Sequence, residues 1–138
     1  HRHVVLVQEV IQFQDYFRVF CIGKKDVLFI KWIPRPMAMG EYLLFDSELL
    51  GANRDIITQQ SIELNTSLDL DINAVEWCIT PEGKACLIEA YNEVPDIDKR
   101  SIPLPYYDWI VEKFAGLIEE KFDSTERNKT ILGIKDCL

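Results

Sequence analysis

An α+β fold, an antiparallel β-sheet built from two hairpins with helices packed on one face, is what this sequence predicts, on three observations. Runs rich in β-branched and aromatic residues come in two pairs, 16–22 with 27–33 and 75–79 with 85–92. Each pair flanks a turn cluster, Gly23-Lys24-Lys25-Asp26 in the first and Pro81-Glu82-Gly83-Lys84 in the second, which is the signature of a hairpin. Two longer segments carry apolar residues at helical spacing. At 138 residues, 48% of them hydrophobic, the chain suffices for one core and one domain.

The elements follow in order. Residues 4–10 open on a strand pattern, and 1–33 form a first strand plus the first hairpin. A four-residue loop there sets Arg18 opposite Lys31, on a face otherwise made of Phe20, Ile22, Val27, Phe29 and Ile33. Two cations among apolar side chains imply an anion between them, unless their stems only snorkel to the sheet edge. Pro34 and Pro36 remove ladder donors, so 34–52 reads as a loop. Asn53 is positioned to cap a helix over 53–68, with Ile57, Leu64 and Leu68 along one stripe. The second hairpin spans 73–92. A stronger helix covers 105–122, with Pro105 in its first turn and Tyr107, Val111, Phe114, Ile118 and Phe122 as a core-facing stripe. A tail, 123–138, is polar at first and then offers Thr130 to Ile134 as a last short strand or helix.

The second hairpin carries the most specific feature. A loop of two or four residues places Glu76 directly opposite Glu89, with Val75, Trp77, Ile79, Cys86 and Ile88 on the other face; the alternative register would set Glu89 beside Trp77. Opposed side chains sit about 5 Å apart at Cβ, and like charges there destabilise a sheet. The repulsion is about 0.8 kcal/mol in water and about 3 kcal/mol at an effective dielectric near 20. A hard divalent cation removes that cost, since Mg²⁺ takes one or two carboxylates plus substrate phosphates. Asn92, three residues on, offers a neutral oxygen. The structural alternative is two carboxylates splayed into solvent on an exposed face.

Composition excludes several classes. A net charge of -8 argues against nucleic-acid and anionic-membrane surfaces. No run approaches the length of a membrane span. Four cysteines (Cys21, Cys78, Cys86, Cys137) lack CxxC spacing, so zinc is not expected. Cys78 and Cys86 fall on opposite faces of their hairpin and should not pair. Reduced thiols and a cytoplasmic setting follow. The sequon at Asn128 then has no glycosylation meaning, and His1 and His3 are read as terminal residues without a catalytic role. No Ser-His or Cys-His pair offers covalent nucleophilic catalysis.

The segments Val5-Leu6-Val7-Gln8-Glu9-Val10-Ile11, Asp15 to Gly23, Val75-Glu76-Trp77 and Leu87-Ile88-Glu89-Ala90-Tyr91-Asn92 resemble, in order and spacing, the C-terminal half of the ATP-grasp superfamily of carboxylate–amine ligases, such as the glutathione synthetase-like and RimK-like enzymes. The resemblance covers residues 4 to 120. It implies an ATP-grasp C-terminal subdomain that binds ATP and Mg²⁺ or Mn²⁺ and serves a carboxylate–amine or carboxylate–thiol ligase acting through an acyl-phosphate. It also implies roles: Gln8 and the backbone of Glu9 and Ile11 on adenine, Asp15 on the ribose, Arg18 and Lys31 near the phosphates, and Glu76, Glu89 and Asn92 on the metal. The family clamps nucleotide between two halves, so the chain is expected to be a fragment, inactive alone, whose partners are ATP, the upstream half of the same protein, and small carboxylate and amine substrates.

Three departures stand beside it. Glu76 replaces a more usual Asp. Arg18 follows Asp15 by three residues rather than two. Glu89-Ala90-Tyr91-Asn92 holds one residue more than the usual Glu-x-Asn, so either Asn92 is the ligand through a bulge or Tyr91 takes its place. Asn92 is preferred because Glu93-Val94-Pro95-Asp96 resembles the turn that follows in the family. Two rivals remain: a catalytically lapsed ATP-grasp-like module for nucleotide sensing or protein interaction, and an acidic surface that docks a basic protein.

Overall fold

The computed structural model describes residues 5, 7–35 and 40–135, with side chains described as far as residue 123. Strands β1 (Asp15–Ile22), β2 (Asp26–Ile33), β3 (Glu41–Leu43), β4 (Ile72–Ile79) and β5 (Ala85–Glu89) form one antiparallel sheet in the order β3-β2-β1-β4-β5. Helices α1 (Ala52–Ser67) and α2 (Leu104–Lys135) and a 3₁₀ turn at Ser47–Leu50 complete it. The α+β class and the two-hairpin sheet are those the sequence predicts.

The helices do not share a face. Phe17 and Val19 of β1 pack with Phe29, Val75, Trp77 and Ile57 of α1, whereas Phe20 and Ile22 pack with Ile30, Ala74 and Ile110 and Leu117 of α2. The central strand has apolar side chains on both sides, and each side must be covered. Neither β1 nor β2 presents a clean polar face, so alternation does not fix the first register and the loop length decides it. A three-residue loop, 23–25, pairs Ile22 with Asp26, Phe17 with Lys31 and Arg18 with Ile30. Gly23 and Lys24 both take positive φ (62° and 60°), and the Asp69 carboxylate holds the Lys24 ammonium. Arg18 and Lys31 therefore lie on opposite faces, a slip of one residue having moved one of them through the sheet.

The second hairpin also turns through an odd loop, residues 81–83, closed by a 2.9 Å bond from Thr80 N to Lys84 O. Trp77 then pairs with Leu87 and Cys78 with Cys86. The two cysteines thus face one another, contrary to the expected opposite faces, and both are free thiols. A bulge between that register and the next pair restores the expected opposition of Glu76 and Glu89.

Other differences have local causes. Within 34–52, expected to be a loop, Glu41-Tyr42-Leu43 adds β3 beyond the prolines, with Tyr42 opposite Trp32. No strand forms among the described residues from 7 to 13. Asn53 does not cap α1, whose first turn follows Gly51; its Nδ2 donates instead to Gly83 O at 3.0 Å, tying α1 to the β4–β5 loop. Helix α2 continues through 123–135, so Thr130 to Ile134 are helical. Its expected core stripe is largely exposed: Val111 (47%), Phe114 (40%), Ile118 (55%) and Phe122 (65%) face outward, while Ile110 and Leu117, one row round, are buried. Cys137 and the terminal histidines lie outside the described residues.

Candidate functional site

Helix α2 covers only the half of its sheet face that carries Phe20, Ile22, Ile30 and Ala74. The uncovered half bears Tyr16 and Arg18 on β1, Trp32 on β2, Tyr42 on β3 and Glu76 on β4, and together with Asn92 these line a cleft of about 650 Å³. Arg35, Asp96 and Ser101 stand on its wall.

Arg18 is at its centre. Nε donates to Glu76 Oε1 at 2.8 Å and Nη1 to the Tyr42 hydroxyl at 2.7 Å, and the guanidinium lies 4.7 Å from the centre of the Trp32 ring. Trp32 itself packs on Tyr42, ring centres 4.5 Å apart and planes tilted by 50°, and is closed against Gly40, where a Cβ would fall 1.7 Å from the indole. Only glycine permits that approach. The second carboxylate oxygen of Glu76 accepts from the Tyr16 hydroxyl. Burial pushes the Tyr16 phenol upward, and the adjoining Glu76 and the more distant Glu89 add to it. For Arg18, burial pulls downward but Tyr42 and Glu76 outweigh it, so the guanidinium stays charged.

Glu89 is exposed opposite Glu76. The chain then stays beside β4 through Asn73, fully buried, whose Nδ2 donates to Ala90 O at 3.0 Å and whose Oδ1 accepts from Asn92 N at 2.7 Å. Ala74 N adds a bond to Asn92 O at 3.1 Å. This clasp turns Asn92 into the cleft and leaves Tyr91 half exposed beside Glu93. Sequence reasoning missed Asn73, Tyr16, Trp32 and Tyr42. Tyr16 and Trp32 were legible as strand aromatics, but their roles depend on the register of β1 against β4.

Gln8, Glu9 and Ile11 line a smaller cleft of about 220 Å³ with Phe13, Tyr16, Leu87 and Ile88. Tyr16 forms a wall of both clefts, and the bulged β5 residues floor the second. Asp15 and Lys31 are in neither. They are ion-paired with each other on the α1 face, where Lys31 sits over Phe45. The ribose role implied for Asp15 and the phosphate role implied for Lys31 thus have no counterpart in these two clefts.

Among the described residues no group of three His, Cys, Asp or Glu side chains converges on one point. The hard donors are two carboxylates and one amide oxygen. Glu76 uses two of the roughly four lone-pair sites of a carboxylate, so it retains room for a cation. Mg²⁺, which keeps waters and phosphate oxygens, suits so sparse a set better than Ca²⁺ does.

Alkaline pH should unfold the protein from its thiols and phenols. Burial pushes the Cys21 thiol up to about 11, and burial and then Cys86 push Cys78 upward. Groups raised in the folded state contribute fully below their unfolded pKa, and that contribution is lost as pH rises through the folded value. Stability should be flat below pH about 9 and fall by on the order of 2 kcal/mol by pH about 11 from Cys21 alone, with Tyr16 adding to the loss above pH about 10. Urea midpoints across that range measure it; Cys21→Ala should flatten the first part.

No family model and no curated protein matches the chain. Among solved structures it is similar to the macrocyclase MdnC from Microcystis aeruginosa MRC, bound with precursor peptide MdnA, at 16% identity over 62% of this chain and 24% of that one (TM-score 0.44). It is similar also to the ATP-grasp ligase PsnB complexed with minimal precursor, at 14% identity over 77% of this chain and 36% of that one (TM-score 0.44). The macrocyclase MdnB from Microcystis aeruginosa MRC gives 18% identity over 62% and 24% (TM-score 0.37). The matched region thus spans 24–36% of the length of those proteins.

Proposed function

We propose that this chain is the ATP- and Mg²⁺-binding half of an ATP-dependent ligase that joins a carboxylate to an amine or thiol through an acyl-phosphate. The observation that carries the proposal is the opposition of Glu76 and Glu89, with Asn92 turned into the cleft that holds Glu76 and Arg18. A divalent cation bound there supplies neutralisation of phosphate charge. Glu76, Glu89 and Asn92 would hold it. Arg18, whose Nη2 has no partner among the described residues, offsets charge on the transferred phosphate. Gln8, Glu9 and Ile11 take the adenine across Tyr16. In this reading the complementary half of the clamp belongs to the same protein and brings most of the acceptor specificity. In this reading its setting is cytoplasmic, where free thiols such as Cys21, Cys78 and Cys86 stay reduced.

A second reading is favoured by one contact. The Arg18–Glu76 ion pair at 2.8 Å already neutralises the inner carboxylate, as it would in a lapsed module that senses nucleotide without metal. Titration of Mg²⁺-ATP into the full-length protein, followed by amide NMR beside Glu89→Gln, separates them. Shifts at 8–11, 76 and 89–92 that vanish in the variant support the ligase half. Shifts that need no metal and survive the variant support the lapsed module. Silence at millimolar nucleotide sinks both.

A further inference from the structure

Three parallel rows run along the described part of α2. Tyr106, Ile110, Lys113 and Leu117 face the sheet, with Ile110 and Leu117 buried. The next row, Tyr107, Val111, Phe114, Ile118 and Phe122, repeats at three- and four-residue steps and is 40–65% exposed from Val111 onward. The row beyond it is Asp108, Glu112, Ala115, Glu119 and Asp123, at the same steps. Neighbouring rows on a helix lie about 100° apart, so an exposed apolar stripe runs between the domain and an acidic edge.

An exposed apolar stripe of about three turns, Val111 to Phe122, is longer than the isolated exposed side chains that any surface carries. Its charges are sorted. The two basic residues of α2 whose side chains are described are ion-paired to the sheet side, Lys113 with Asp26 at 3.2 Å and Lys121 with Asp71. Glu120 is taken by Lys25 at 2.7 Å. The acidic edge, by contrast, has no ion pair among the described residues.

We propose that this stripe docks a basic amphipathic helix of a protein partner, with apolar residues at three- and four-residue steps and Lys or Arg along one flank. Helix-in-groove recognition reads such anchors, and the acidic edge selects the flank by charge complementarity. A second copy is disfavoured, because two chains of net charge -8 repel and an antiparallel pair would set acidic edge against acidic edge.

Two synthetic helical peptides test this, identical in their Leu stripe, one flanked by Lys and the other by Glu. Calorimetry and amide shifts on α2 should show the Lys peptide binding at least tenfold more tightly than the Glu peptide. Glu112→Lys with Glu119→Lys, both exposed and outside the nucleotide cleft, should reverse that preference while leaving the circular dichroism unchanged. Ile118→Asp should abolish binding of both. Equal affinity for the two peptides, shifts elsewhere than on α2, or concentration-dependent self-association in sedimentation without peptide would each overturn the proposal. None of these outcomes depends on whether Mg²⁺-ATP binds.

Discussion

Arg18→Met is expected to destabilise the protein by about 2–3 kcal/mol and, at the same time, to increase its stabilisation by Mg²⁺. The first effect follows from burial. Arg18 and Glu76 side chains are 20% and 12% exposed, and removing one partner of a fully buried pair costs about 3–5 kcal/mol. Partial solvent access screens the loss toward the lower figure. The Trp32 ring loses its cation and Tyr42 its donor as well. The second effect follows from the carboxylate left behind, which keeps only the Tyr16 hydroxyl and stands opposite Glu89. Its repulsion with Glu89 is no longer offset, and a cation restores the balance. A ligand that binds the native state stabilises it by RT ln(1 + [L]/Kd), so the melting temperature of the variant should climb more steeply with Mg²⁺ than that of the parent. Adding Glu76→Gln should recover about 1–2 kcal/mol of the loss, since the two sites are directly coupled. A variant as stable as the parent, or one indifferent to Mg²⁺, would show that the pair does not guard a cation site.

How far the sequence reaches is clear from the two hairpins. Their existence and the α+β class follow from β-branched runs broken by glycine-bearing turns, a local signal. Their registers depend on non-local facts. A four-residue loop is what sets Arg18 opposite Lys31 in the sequence, and nothing in the apolar pattern opposes it, because β1 and β2 are apolar on both faces and a one-residue slip leaves the pattern intact; the structure puts a left-handed Lys24 in a three-residue turn, secured by Asp69 from a distant loop. Glu76 and Glu89 were expected to face one another through an even loop. They do so through an odd loop and a bulge, two departures that cancel at that pair while Cys78 and Cys86 show the shift. The α2 stripe was legible as helix but not as surface, because periodicity gives the spacing of a face and not the neighbour it meets.

Asn73→Ala should cost about 3 kcal/mol and release Asn92 from the cleft without touching any carboxylate. Asn73 is wholly buried, and its amide is the clasp between β4 and the segment after β5, one atom accepting from Asn92 N and the other donating to Ala90 O. Each net hydrogen bond is worth about 1 kcal/mol, and a buried backbone group left without a partner costs about 1–3 kcal/mol more. The Ala74 N to Asn92 O bond keeps the segment near the sheet, so the fold should survive with a loosened 90–92 rather than collapse. Asn73→Asp offers a control: it can still accept from Asn92 N, but it loses the donor to Ala90 O and adds a third negative charge to the region. Amide exchange at Asn92 should accelerate in both variants, more in the alanine one. If Asn92 completes the metal set, Mg²⁺ affinity should fall in Asn73→Ala by a factor comparable to that in Asn92→Ala, although Asn73 touches no cation. Unchanged affinity, with faster exchange at Asn92, would instead assign Mg²⁺ to Glu76 and Glu89 alone and leave the extra residue between Glu89 and Asn92 as a structural bulge.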